Sequence, residues 1–263
     1  MTEQPLVKME KICKSFGHVR ALQEVDLDLG RCEILGLVGD NAAGKSTLMK
    51  ILSGAYQPDS GKIYFEGQEV TFEHPGQARE LGIEMVYQDF ALVPTADVSA
   101  NIFMGRELTR SFLGGLIKIL DRASMEKQAW EVLCRLGIRF DSVHIPTREL
   151  SGGQRQAVAI GRSTCFNPKV LIMDEPTANL AVSQVNRLLD LILQFREQGV
   201  SIIFTSHRLQ DVFAIGDRVV VLKRGRRVGE RRIKDTTMNE VIELMTVGYC
   251  IGEGGGLKVK ERG

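Results

Sequence analysis

The sequence lacks an excess of either charge: 34 lysines and arginines balance 33 aspartates and glutamates, and the formal net charge of the 263 residues is +1. Both signs are spread along the chain, so no nucleic-acid partner is expected. Also missing are an apolar signal region near the first residue and any run of about 18 apolar residues that could form a membrane helix. We therefore expect any membrane contact to be made through a partner.

No C-x-x-C pair occurs among the five scattered cysteines. This pattern is typical of reduced thiols in a cytosolic protein and implies no metal site built from cysteine. Internal repeats are also absent. The length allows one large α/β domain or two small ones, and the lack of a repeat favours a single nucleotide-binding domain.

The stretch GDNAAGKST fits the phosphate-loop pattern G-x-x-x-x-G-K-[ST], and it lies between an apolar run, CEILGLVG, and a helical run, KSTLMKILSG. In such a strand-loop-helix unit, backbone N–H groups surround the β-phosphate, the lysine reaches the β and γ oxygens, and the hydroxyl ligates Mg²⁺. A glycine-rich turn before an ordinary helix is the alternative. The predicted nucleotide-binding residues are Gly39, Asp40, Asn41, Ala42, Ala43, Gly44, Lys45, Ser46 and Thr47.

A second apolar run, KVLIMDEP, ends on two successive carboxylates, Asp174 and Glu175. Successive strand residues face opposite ways, so the two acids can take different roles. We expect Asp174 to support Mg²⁺ together with Ser46, and Glu175 to polarise the water that attacks the γ-phosphate. A solvated acidic turn is the competing interpretation.

The remaining pattern predicts an α/β fold. Strands are expected in LVKMEKICKSF and GIEMVYQD, and KIYFEGQEVTF predicts a hairpin that turns near Gly67. Helical spacing dominates from about residue 97 to 166, after which strands and helices alternate again. We expect a core of about 1–87 and 167–246, a helical subdomain of about 88–166, and a flexible tail over 247–263.

The stretch ELSGGQRQAVAIGRS resembles the signature of the ATP-binding subunits of ABC transporters. Ser151 at a helix N-terminus, followed by Gly152, Gly153 and Gln154, offers a hydroxyl and bare N–H groups to an anion. The resemblance implies that this segment completes the ATP site of a second subunit in a head-to-tail pair, most simply a homodimer. A mere helix cap is the alternative reading.

Other elements of that family follow in the expected order. Gln88 in VYQDFALVP is similar to the family's Q-loop glutamine, a catalytic and metal-contacting position, and His207 in FTSHRL is similar to its switch histidine. Phe16 is placed like the aromatic residue that stacks on adenine, although a core aromatic would fit the same pattern. The resemblance implies a P-loop NTPase core of the RecA type, with an antiparallel β subdomain and a helical insert.

The resemblance extends from about Leu6 to Thr246, and NIFMGRE after the Q-loop is similar to the ribose- and fructose-type sugar importers. It implies an ATPase subunit at the cytoplasmic face of the cell membrane that energises monosaccharide import. The implied partners are a second ATP-binding subunit, membrane permease subunits and, indirectly, a sugar-binding protein. We expect Phe90, Leu92 and Phe103 to be exposed groups that meet a coupling helix of the permease.

Two positions depart from the family pattern. Ala42 stands where a glycine is usual, which costs about 1–2 kcal/mol if the backbone there has positive φ. Ala181 stands where many relatives carry an aspartate. Ala42 leads to the hypothesis of a subunit that binds ATP but turns it over slowly. A separate alternative to the importer is a soluble ABC ATPase without a transport role, acting in repair or translation.

Overall fold

Two β-sheets organise the computed structural model, which describes residues 4–112, 117–178 and 180–247. The first sheet is antiparallel, in the order β2-β1-β4-β5. Its strands are β1 (Val7–Phe16), β2 (Val19–Leu29), β4 (Ser60–Phe65) and β5 (Gln68–Val70). Phe65 pairs with Gln68 across the turn that holds Gly67, which confirms the predicted hairpin.

The second sheet has six strands in the order β12-β11-β3-β10-β9-β6, and all are parallel except β12. They are β3 (Ile34–Val38), β6 (Ile83–Val86), β9 (Val170–Asp174), β10 (Ser201–Thr205), β11 (Arg218–Lys223) and β12 (Arg226–Arg232). Two of these strands, β3 and β9, were predicted as apolar runs, as a strand buried on both faces requires.

The helices lie between these strands along the chain. They are α1 (Lys45–Leu52), α2 (Pro75–Glu80), α3 (Val98–Phe103), α4 (Arg122–Arg135), α5 (Gly152–Thr164), α6 (Val182–Glu197), α7 (Leu209–Ile215) and α8 (Met238–Thr246). None of the helices in the described ranges has both the length and the apolar character needed to cross a bilayer.

Alternate residues of the parallel strands point into two different hydrophobic clusters. Leu35 and Leu37 of β3 pack with the antiparallel sheet and α1, whereas Ile34 and Val38 pack with residues of α5 to α8. This alternation follows from the two-residue period of a strand. The parallel sheet is thus covered on both faces by apolar side chains.

A third hydrophobic cluster joins α3, α4 and the first half of α5. The helical pattern predicted for 97–166 is wrong in one part, because β7 (Thr109–Phe112) and β8 (Ile117–Leu120) pair as a two-stranded antiparallel sheet. Its β-branched residues Thr109, Ile117 and Ile119 favour extended backbone over helix. The subdomain boundaries stay a prediction, and the predicted tail lies, apart from Val247, outside the described residues.

Arg218 at the start of β11 links the two sheets. Its guanidinium binds Glu33 beside β3 at 2.7 Å, Glu230 of β12 at 2.6 Å and Asp28 of β2 at 3.0 Å. Burial disfavours the charge of this side chain, but hydrogen bonds and Coulombic attraction from Glu33 and the other carboxylates outweigh it and raise the pKa of Arg218. Three acidic groups therefore converge on one cation, and one of them, Glu230, also pairs with Arg227.

Replacing Arg218 by alanine should lower the free energy of unfolding by about 2–4 kcal/mol, because partly buried carboxylates lose their counter-charge. The control is Arg110→Ala, which removes an exposed arginine from its pair with Asp121 and should cost less than about 1 kcal/mol. Urea unfolding of both variants measures the difference. Equal losses would show that Arg218 does not fasten the sheets.

Candidate functional site

Four parallel strands end at one edge of the large sheet. Thr205, the last residue of β10, lies in register with Leu37 of β3 on one side and Asp174 of β9 on the other. Val86 of β6 pairs with Met173 of β9. The loops that follow these strands therefore meet at this edge, which is where open α/β sheets bind their ligands.

The phosphate loop requires glycine at both ends. A Cβ on Gly39 would lie 2.2 Å from the carbonyl oxygen of Leu222, and one on Gly44 would lie 2.7 Å from that of Ala21. Gly44 also has a φ of 103°, and it precedes α1 without a capping side chain. The first N–H groups of α1 are thus left for an anion.

Ala42 adopts a left-handed backbone, the conformation in which we expect its side chain to be costly. Its φ is 66°, so its Cβ costs about 1–2 kcal/mol relative to an unstrained residue. The loop is nevertheless braced from outside, because the N–H of Gly225 in the β11–β12 turn donates to the carbonyl of Ala43 at 3.0 Å. Ala42, which stands in place of the usual glycine, is therefore a strained residue in a loop that this hydrogen bond holds in place.

Lys45 is 5% exposed, and its ammonium lies inside the loop. It donates to the carbonyl oxygens of Gly39 at 2.7 Å and Asp40 at 3.1 Å, and it lies 4.0 Å from Glu175 Oε1. Burial lowers the pKa of Lys45, while the nearby carboxylates of Glu175, Asp174 and Asp40 oppose that shift. A buried cation in a ring of backbone dipoles gains further stabilisation from a bound anion.

The two acids after β9 lie in different surroundings. Asp174 Oδ1 accepts from Ser46 Oγ at 3.2 Å and from Thr205 Oγ1 at 2.6 Å. The Glu175 backbone is left-handed, with φ 49°, and its N–H donates to Thr205 Oγ1 at 2.9 Å. The hydroxyl of Ser46 beside the carboxylate of Asp174 is a set of hard oxygen donors, which fits Mg²⁺.

His207 lies beside Glu175, with 3.4 Å between His207 Nδ1 and Glu175 Oε2. The structure therefore brings together Lys45, Ser46, Asp174, Glu175 and His207. Gln88 lies two residues beyond β6 and is exposed. Among the described contacts, none joins Gln88 to either acid.

Ser151 caps α5 in a reciprocal pair with Gln154. Ser151 Oγ accepts from the N–H of Gln154 at 3.3 Å, and Gln154 Oε1 accepts from the N–H of Ser151 at 3.0 Å. These bonds, like others described for the two residues, stay away from the phosphate loop of the same chain. One residue of α5 does reach the acidic loop: Gln156 Nε2 donates to the carbonyl of Pro176 at 2.8 Å.

Phe16 at the end of β1 is 45% exposed, so it is not the core aromatic that its sequence context also allowed. Its ring meets that of Tyr56 edge-on, with centroids 5.4 Å apart. Of the three residues expected at a coupling surface, Phe103 is fully buried in the third hydrophobic cluster, and that expectation is wrong for it. Phe103 is in the helical core because α3 packs this face on α4 and α5.

Sequence reasoning also missed two buried polar groups. Thr205 was passed over as part of an apolar strand. Asn101 of α3 is fully buried, and its amide donates to the carbonyls of Val93, Ala96 and Asp97. Asn101 thus fixes the segment after Gln88. A single polar residue in an apolar or helical run does not reveal such a role, because the role depends on hydrogen-bond partners in other segments of the chain.

Comparison with known proteins decides the family. Residues 22–178, more than half of the chain, match the family described as ABC transporter. The chain belongs to this family. Membership makes it an ATP-binding and ATP-hydrolysing subunit, as the signature and the phosphate loop predicted.

Relatives and solved structures agree with this assignment. The chain is 43% identical to the fructose import ATP-binding protein FrcA of Rhizobium meliloti, over 94% of this chain and 95% of that one. It is 43% identical to the ribose import ATP-binding protein RbsA 1 of Streptomyces avermitilis, over 94% of this chain but 45% of that one. A solved ATP-binding cassette of an ABC transporter superposes with a TM-score of 0.78 at 28% identity, covering 93% of this chain and 98% of that one, which confirms the predicted fold.

Ala42→Gly should raise the free energy of unfolding of the nucleotide-free protein by about 0.5–1 kcal/mol, since relief of the left-handed strain exceeds the extra flexibility of glycine. Ala43→Gly is the control: Ala43 is buried, has no positive φ, and should lose about 1–2 kcal/mol. Thermal or urea unfolding measures both. A loss in both variants would mean that Ala42 carries no strain.

Proposed function

We propose that this ATPase subunit energises the import of a monosaccharide from the cytoplasmic face of the cell membrane. The observation that carries the proposal is the 43% identity to a fructose import ATP-binding protein over nearly the full length of both chains. A second full-length relative, at 39% identity, is the xylose/arabinose import ATP-binding protein XylG of Sulfolobus acidocaldarius. Relatives named for different sugars support the substrate class rather than one sugar.

At the site, residues 39–47 hold the phosphates of ATP, and Phe16 stacks on the adenine. Lys45 supports this role because its buried ammonium already points at the carbonyls that line the loop. Ser46, Asp174 and Gln88 would hold Mg²⁺, which, when bound, offsets negative charge on the phosphates. Gln88 is exposed, and among the described contacts none joins it to Ser46 or Asp174.

Hydrolysis is assigned to Glu175, which orients and polarises the attacking water. His207, 3.4 Å from its carboxylate, holds Glu175 and contacts the γ-phosphate. Gln88 reports the state of the nucleotide to the segment that Asn101 fixes. The support for these roles is that Glu175 lies between Lys45 and His207, so a carboxylate, a phosphate-binding cation and an imidazole converge on one point.

The signature segment serves the site of a second subunit. The segment is the N-terminus of α5, where Ser151 and Gly152 are exposed and Gly153 and Gln154 are half-buried. Its described hydrogen bonds do not reach the phosphate loop of the same chain. Two copies in a head-to-tail pair would bring this end of α5 to the other copy's ATP. Permease subunits would contact the pair, and a sugar-binding protein would act through them.

Glu175→Gln should reduce steady-state MgATP hydrolysis by at least about 100-fold, because the attacking water loses its general base. ATP affinity should stay within a few-fold of wild type, because the residues that bind the phosphates are unchanged. Glu197→Gln is the matched control, since Glu197 is an exposed carboxylate at the end of α6, away from the site edge. Hydrolysis by Glu175→Gln near the wild-type rate would remove Glu175 from the mechanism.

Monosaccharide import is tested in the source cells after deletion of the gene. Uptake of labelled fructose, ribose, xylose and arabinose should fall for at least one of them. The wild-type gene should restore that uptake, and the Glu175→Gln variant should not. Unchanged uptake of all four, together with purification of the tagged chain without membrane proteins, would favour a soluble ABC ATPase.

The left-handed Ala42 supports a second candidate, a subunit that binds ATP but hydrolyses it slowly. The strain of about 1–2 kcal/mol corresponds to a change in rate of about fivefold to thirtyfold. Wild-type turnover comparable to that of Ala42→Gly supports the importer motor. Wild-type turnover about fivefold to thirtyfold below that of Ala42→Gly supports the slow subunit.

A further inference from the structure

Thr205 places a hydroxyl at the end of a strand that is otherwise mostly apolar. It ends β10, whose preceding residues are Ile202, Ile203 and Phe204, and it is fully buried. It lies in register with Asp174 on the neighbouring strand. A buried hydroxyl needs hydrogen-bond partners, so the identity of those partners indicates what the side chain does.

Both partners of this hydroxyl belong to the pair of acids after β9. Thr205 Oγ1 accepts from the N–H of Glu175 at 2.9 Å, and it lies 2.6 Å from Asp174 Oδ1. A backbone N–H can only donate, so the single proton of the hydroxyl is free to point at the carboxylate. One side chain thus holds the carboxylate of Asp174 and the backbone of Glu175 at the same time.

The hold on Glu175 determines where its carboxylate lies. Its N–H is shared between the hydroxyl of Thr205 and the carbonyl oxygen of Thr205, the latter at 3.2 Å. Its φ of 49° is a strained left-handed conformation that persists only where surrounding contacts impose it. In this conformation the carboxylate lies between Lys45 and His207, at 4.0 Å and 3.4 Å.

We propose that Thr205 is a positioning residue for ATP hydrolysis, whose hydroxyl keeps Asp174 and Glu175 in one fixed arrangement. The proposal rests on the roles assigned above to those two acids. Without the hydroxyl, Asp174 keeps only the hydroxyl of Ser46 among the described bonds to Oδ1, and the Glu175 N–H keeps only a longer bond to a carbonyl. The chemical step and the use of Mg²⁺ should then suffer, whereas nucleotide binding by the loop should persist.

The test compares Thr205→Val, which keeps the size and the β-branched shape, with Thr205→Ser, which keeps the hydroxyl. The matched control is Ser201→Ala at the other end of β10, which removes a buried hydroxyl that accepts from the N–H of Cys32 at 2.9 Å. If Thr205→Val does not fold, Thr205→Ala takes its place. Each variant is assayed for kcat, for KM of ATP, and for the Mg²⁺ concentration at half-maximal rate.

Thr205→Val should lower kcat by about 10- to 100-fold, leave KM for ATP within about threefold, and raise the half-maximal Mg²⁺ concentration several-fold. Thr205→Ser and Ser201→Ala should stay within about threefold of wild type. A folded Thr205→Val with wild-type kcat and Mg²⁺ dependence would overturn the proposal. So would a Thr205→Ser variant as impaired as Thr205→Val, or a Ser201→Ala variant with the same loss of kcat.

Glu175→Gln in the same assay separates this result from the proposed function. If Glu175→Gln is inactive and Thr205→Val hydrolyses ATP normally, the role of Thr205 is overturned while the role of Glu175 still stands. If wild type itself does not hydrolyse ATP, the proposed function fails, and the Mg²⁺ dependence of ATP-induced thermal stabilisation is the remaining readout. An unchanged Mg²⁺ dependence in Thr205→Val then overturns the role of Thr205, and a weakened one supports its hold on Asp174.

Discussion

The parallel register of β3, β10 and β9 is the constraint from which the site follows. Because Thr205 lies beside both Leu37 and Asp174, the loops that leave these strands must start at the same level of the sheet. The phosphate loop, the two acids and His207 are far apart in sequence, yet each follows one of these strands by no more than a few residues. A shift of one strand by one residue would turn its buried side chains toward the opposite hydrophobic cluster. Packing on both faces of the sheet therefore fixes the strand register, and the register fixes where the loops of the site begin.

Backbone strain is stored at the same edge. Ala42, Glu175, Phe90 and Ala91 all have positive φ although none is glycine, and all lie in loops that follow parallel strands. Such conformations persist only where firm surroundings impose them. Here those surroundings are the sheet, the bond that the Gly225 N–H donates to the phosphate loop, and the two bonds that the Glu175 N–H donates to Thr205. We infer that the packed core allows these loops to keep the left-handed conformations that place their groups around a ligand.

The sequence predicted the elements whose signal is local. The apolar runs became the buried strands, and the turn near Gly67 and the cap at Ser151 lie where residue types required them. The β7–β8 pair was missed because it interrupts a helical pattern with only two short strands. The burial of Phe103, the left-handed φ of Ala42 and the bonds of Thr205 depend on contacts between distant segments, which no short stretch of sequence encodes.

The structure of Glu175→Gln with ATP and Mg²⁺ tests the central claim most directly. The account predicts that the β- and γ-phosphates lie in the loop 39–47 against Lys45, and that the metal contacts Ser46 Oγ beside Asp174. It also predicts that residue 175 keeps its bond to Thr205. Phosphates bound away from this loop, or a metal with no contact to Ser46 or Asp174, would contradict it.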